Sequence, residues 1–109
     1  MAFAQSPALE KACTKVARDF NLASTITLGT VQSFPELSPP GVRLTYSTDR
    51  NAKPEEIDDQ LECEFDSNTA PFGLKRFCLE RTCYSADSKD PAERRRFEEI
   101  RLLMERSPS

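Results

Sequence analysis

Apolar residues recur at the spacing of one helical face from Leu9 through Ala12, Cys13, Val16 and Ala17 to Phe20, with Glu10, Lys11, Lys15, Arg18 and Asp19 opposite them. That spacing predicts an amphipathic helix lying on a core. Ser6 supplies an N-cap and Pro7 stands at the first helical position, where a missing N–H costs nothing. Asn21 closes the helix at about Leu22.

From Thr25 to Phe34 the chain turns β-branched and reads as a strand. Ile26 and Leu28 share one face while Val31 has the other parity, so a bulge at Gly29 is expected to return Val31 to the core side. The run from Phe34 to Gly41 holds three prolines and forms a stiff connection. Val42, Leu44, Tyr46 and Thr48 then alternate with Arg43, Thr45, Ser47 and Asp49, the period-two pattern of a half-buried antiparallel strand. Between Asp49 and Asp59 only Ile57 is large and apolar, and the segment reads as a mobile, acidic surface loop.

The stretch from Asp59 to Ser85 holds three of the four cysteines. Leu61, Cys63 and Phe65 point one way, and Glu62, Glu64 and Asp66 form an acidic strip on the other face. Residues 67–73 supply turn chemistry, and Leu74 to Leu79 resumes as a strand with Phe77 and Leu79 on one parity and Arg76, Cys78 and Glu80 on the other. A hairpin that set Cys63 against Cys78 would put Phe65 opposite Arg76 and make the two apolar faces disagree. The expected register therefore pairs Phe65 with Phe77 and Cys63 with Leu79. A two-residue turn at Glu80-Arg81 brings Cys78 opposite Cys83, and Cys13 on the helix meets Cys63 on the core face of the sheet. Four cysteines allow three connectivities, and Glu-Arg is a poor type I′ turn; Cys13–Cys63 with Cys78–Cys83 is the pairing preferred.

Asp90-Pro91-Ala92-Glu93 opens a last helix with a cap, a proline at its first position and a capping box. Phe97, Ile100, Leu103 and Met104 form its core stripe, while Arg94 and Arg95 are expected to meet Glu98 and Glu99 at i,i+4. The expected fold is α+β: one antiparallel sheet of four to five strands packed against an N-terminal and a C-terminal helix, stapled by two disulfides. Residues 1–109 are expected to form a single domain, with 1–5 as a signal-peptide remnant or flexible arm and 107–109 as a frayed end.

Composition narrows the chemistry. The 109 residues are 38% hydrophobic and 30% charged with a formal charge of −3, which argues against a general nucleic-acid binder, and no apolar run is long enough for a membrane span. There is no histidine, which removes the usual general base and the commonest zinc ligand. There is no tryptophan, so seven Phe and two Tyr must fill the core beside the aliphatics. Four cysteines without a metal knuckle point to an oxidising compartment, and Ala2-Phe3-Ala4 before Gln5 has the small-x-small form cut by a signal peptidase. The localisation expected is periplasmic or secreted.

Four residues separate Cys78 from Cys83 and no helix start follows, so a structural disulfide is favoured over a redox motif. The acids Glu55, Glu56, Asp58, Asp59, Glu62, Glu64 and Asp66 read as solvent faces rather than a paired-carboxylate site, and they match no calcium loop. A serine nucleophile would need a lysine base that nothing pairs with it. Neither cofactor nor metal is expected. Phe72, an aromatic in a turn, is the first candidate for a partner contact, with Phe34 and its proline loop nearby; Arg94 and Arg95 are candidates for an acidic partner. Together these features read as a small exported, non-catalytic interaction or accessory module with a protein partner, monomeric or weakly dimeric. The alternatives are a small hydrolase or thiol enzyme with an unrecognised site, and a cytosolic partner protein with free thiols.

Overall fold

The computed structural model describes residues 5–106. Helix α1 spans Pro7–Asn21, and five strands follow: β1 Thr27–Phe34, β2 Gly41–Ser47, β3 Asp59–Phe65, β4 Leu74–Leu79 and β5 Thr82–Ser85. Helix α2, Pro91–Arg106, ends the described chain. The strands form one antiparallel sheet in sequence order, β1-β2-β3-β4-β5, a meander with both helices on one face. The fold class and both cysteine pairs expected from the sequence are present. Residues 1–4 and 107–109, which carry most of the expected N-terminal arm and the frayed end, lie outside the described residues.

Helix α1 is held at its start by a polar cluster. The Ser6 hydroxyl accepts from Leu9 N–H, and Ser6 N–H donates to the Ser33 hydroxyl at 2.6 Å. Ser33, fully buried on β1, donates in turn to a Glu10 carboxylate oxygen at 2.6 Å. Gln5, assigned to the arm by sequence, is tied to the sheet: its amide oxygen accepts from Ser33 N–H. The buried hydroxyl is thus fully satisfied, as burial of a polar group requires. At the other end Leu22 takes the left-handed cap position at φ 54°, and the Asn21 amide donates to the hydroxyl of buried Tyr46 at 3.0 Å. Burial pushes the Tyr46 phenol above its ordinary pKa, while the Asn21 hydrogen bond acts in the opposite sense.

The core forms where both helices meet the sheet. Leu9, Cys13 and Val16 of α1, Leu44, Leu61 and Phe65 of β2 and β3, and Ile100 of α2 are fully enclosed. At one end Phe77 stacks on Tyr84 at 5.0 Å and on Phe97 at 6.1 Å, and meets Phe20 edge-on at 5.7 Å. The Arg96 guanidinium lies 4.6 Å over the Phe20 ring and donates to the Phe20 carbonyl, joining α2 to the end of α1. Leu103, expected in the α2 stripe, points outward; Phe97 and Ile100 carry the burial, and Met104 is partly covered.

The β1 bulge falls between Leu28 and Val31 and returns Val31 to the core side, paired with Leu44. Thr45 Oγ1 accepts the Thr30 N–H that the bulge frees. A Cβ on Gly29 would lie 2.5 Å from that oxygen and 3.0 Å from the Ile57 side chain. The glycine therefore leaves room for Ile57, which brings the 49–58 segment onto β1. That segment also contains a single 3-10 turn at Pro54–Glu56 and holds Lys53 N–H on the Glu56 carboxylate.

The β3–β4 register and the ion pairs of α2 also differ from the sequence-based expectation. Cys63 pairs with Phe77 and Leu61 with Leu79, two residues from the expected register, with a bulge at Glu64/Phe65 that sets Phe65 opposite Leu74. A two-residue slip preserves which face each side chain occupies, so the disulfide argument survives although the pairs differ. On α2, Arg94 does not meet Glu98, and no Arg95–Glu99 pair forms. Arg94 reaches back to the carbonyls of Ser88 and Lys89 at 2.6 and 3.0 Å, Arg96 takes Glu99, and Arg101 takes both Glu98 and Glu105.

Candidate functional site

At one end of the sheet the β1–β2 connection and the β3–β4 connection come together. The Asn68 amide donates to the Pro35 carbonyl at 2.8 Å, and Phe65 N–H donates to the buried Pro40 carbonyl at 2.9 Å. Prolines cannot donate to a ladder, so this rim is built from carbonyls that neighbouring segments must satisfy. Asp66 N–H and Ser67 N–H continue the hairpin to the carbonyls of Gly73 and Phe72. Gly73 adopts φ +69°, and a Cβ there would lie 2.6 Å from an Asp66 carboxylate oxygen. A side chain is therefore excluded twice, by backbone conformation and by contact.

This turn lays Phe72 half-buried against Phe65, ring centroids 6.0 Å apart, at the wall of a cavity of about 230 Å3. Phe65, Phe72, Leu74 and Met104 form its apolar wall, and Ala12 of α1 leaves the space because its side chain is small. Arg101 and Glu105 stand at the rim, joined at 2.6 Å. The hydrogen bond between Arg101 and Glu98, more than charge, raises the Arg101 pKa and lowers that of Glu98. At the same end of the sheet a smaller cleft of about 60 Å3 lies among Phe34, Pro35, Glu36 and Leu37, with Leu37 exposed.

Phe72 and the Phe34 loop, expected from the sequence to lie near each other, are thus brought to one end of the molecule. Arg94 and Arg95 are not. They lie in the first turns of α2, about 15 Å along the axis from Met104 at 1.5 Å per residue. The cationic residue at the cavity is Arg101 instead. Sequence periodicity had assigned Ala12 and Met104 to a core stripe, and the small side chain within that stripe was the one signal of a void.

The opposite sheet face differs from the acidic strip expected there. Arg43 pairs with Glu62 at 3.3 Å and Arg76 with Glu64 at 3.1 Å, each across neighbouring strands, so the face is of mixed charge. Parity already placed both arginines on that side. At the far end of the sheet burial, then Asp58 and Glu80, raise the Asp59 carboxyl above its ordinary pKa. Among the described residues no group of three or more His, Cys, Asp or Glu is arranged to hold a metal ion, and no helix is long and apolar enough to cross a membrane.

Fold and site together define a disulfide-bonded α+β protein: a five-stranded antiparallel meander with two helices on one face and an apolar cavity at its proline-rich end. The chain matches no protein-family model, and no curated protein or solved structure is significantly similar to it.

Proposed function

We propose that the protein is an exported, non-catalytic interaction module, periplasmic or secreted, that seats one apolar side chain of a protein partner in the cavity beside Phe72. Two disulfides are consistent with an oxidising compartment. The cavity carries the functional reading. At about 230 Å3 it lies below the roughly 300–1,000 Å3 of small-molecule sites, yet it suits the single anchor around which protein interfaces concentrate their energy. Apolar walls supply the desolvated centre, and Arg101, Glu105 and the exposed loop residues supply a polar rim. Phe34 and Leu37 extend the contact across the tied loops.

The test places a photo-crosslinking phenylalanine analogue at position 72, or at position 94 as a control, in cells that naturally produce the protein. A discrete adduct is expected from position 72 and none of that mass from position 94. Ala70→Trp, which fills the mouth of the cavity, should lower the adduct at least about tenfold while the melting temperature is unchanged. Equal adducts from both positions, or no effect of Ala70→Trp, would overturn the proposal.

A further inference from the structure

The two disulfides occupy opposite environments. Cys13 and Cys63 are fully buried between α1 and the sheet, whereas Cys78 and Cys83 face solvent on the uncovered side, Cys83 being exposed. Thiol–disulfide exchange requires a thiolate to approach one sulfur along the S–S axis, from the side opposite the leaving sulfur. The register sets what each approach meets. One row crosses the open face from Gln32 through Arg43, Glu62 and Cys78 to Cys83. An attack on Cys78 must come over β3, where the Glu62 side chain, paired with Arg43 at 3.3 Å, occupies the neighbouring place and stands in the line of approach. An attack on Cys83 comes from beyond β5, the last strand of the sheet. There the Ser88 hydroxyl accepts from Ser85 N–H and donates to the Cys83 carbonyl, meeting the backbone edge while the Cys83 side chain stays exposed.

We propose that Cys78–Cys83 is a thiol-exchange site at which Cys83 is the attacked sulfur. A thiolate bonds to Cys83 Sγ and the S–S bond breaks, leaving Cys78 as a thiolate. A second thiolate then attacks the incoming group's sulfur in the mixed disulfide and releases Cys83. The protein disulfide gains two electrons, and two thiols are oxidised to a disulfide. Cys83 has no helix N-terminus to depress a thiol pKa, so the site is a target for an external thiol or dithiol rather than a thiol catalyst. Nothing in the fold requires this bridge to stay closed: the β4–β5 ladder, the Phe77–Tyr84 stack and the packing of α2 on β5 remain.

The experiment incubates the native, fully oxidised protein with reduced glutathione, quenches with acid at early times and maps adducts by mass spectrometry; a parallel arm uses a dithiol protein of the thioredoxin type. A single glutathione on Cys83 is expected, with Cys13–Cys63 intact, the circular dichroism spectrum unchanged, and exchange at least about a hundredfold faster than opening of the buried bridge, which must await local or global unfolding. Glu62→Ala should open the second approach and shift adducts toward Cys78. Reaction with glutathione but not the dithiol protein would restrict the partner to small thiols, and the converse to proteins. Initial adducts on Cys78 in the unaltered chain, or two bridges that open together at the unfolding rate, would overturn the proposal.

Discussion

Replacing Cys13 and Cys63 together with alanine is expected to lower stability by about 4 kcal/mol, against about 2 kcal/mol for the equivalent change at Cys78 and Cys83. The ratio follows from chain separation, 50 residues in one case and 5 in the other, because a cross-link restricts the unfolded chain more when it closes a longer loop. Since domains of this size are stable by only about 5–15 kcal/mol, the first loss removes a large share of the total and lowers Tm by roughly 20 °C. The Cys13–Cys63 bridge also fixes where α1 lies on β3, with Cα atoms 5.8 Å apart, so the double variant should lose near-ultraviolet dichroism before its far-ultraviolet signal. Urea unfolding of the two double variants checks the order. A larger cost at Cys78 and Cys83 would mean that the exposed bridge, not the buried one, organises the fold.

Phe77→Ala is expected to cost about 3–5 kcal/mol, the range for removing a buried phenylalanine. The ring is fully enclosed and touches Phe20, Tyr84 and Phe97, which belong to three other elements. No neighbour can collapse into the void without leaving its own contacts, which puts the cost toward the upper end. Phe72→Ala, by contrast, removes a half-buried ring from the cavity wall and should cost about 1 kcal/mol or less by the ~25 cal/mol per Å2 of apolar burial. Denaturant unfolding of the two variants separates the aromatic core from the candidate contact surface. Equal losses would place Phe72 in the core and weaken its assignment to an interface.

The sheet was legible because period-two alternation is a direct imprint of one covered and one open face. The same pattern could not fix the β3–β4 register, since a slip of two residues leaves every face assignment intact. Turn geometry decides it, through the bonds from Asp66 and Ser67 to Gly73 and Phe72. The bulge near Gly29 was readable from the change of parity between Leu28 and Val31, but its cause was not, because Ile57 reaches the glycine from a distant loop. Arginine partners on α2 went wrong for an energetic reason. Exposed i,i+3 and i,i+4 pairs are each worth only about 0.3–0.5 kcal/mol, too little for spacing alone to choose between Glu98, Glu99 and a loop carbonyl. The cavity was hidden because it is a relation among Ala12 and Met104, each in the core stripe of its own helix, and Phe72 in a turn between strands.

The central claim is that this chain works in an oxidising compartment with both bridges formed. It is tested most directly by acid-quenching cells that naturally produce the protein and labelling thiols with a maleimide polymer before and after reduction. The expected result is no labelled thiol without reductant and four after reduction. Four labelled thiols without reductant would contradict the account and place the protein in a reducing compartment.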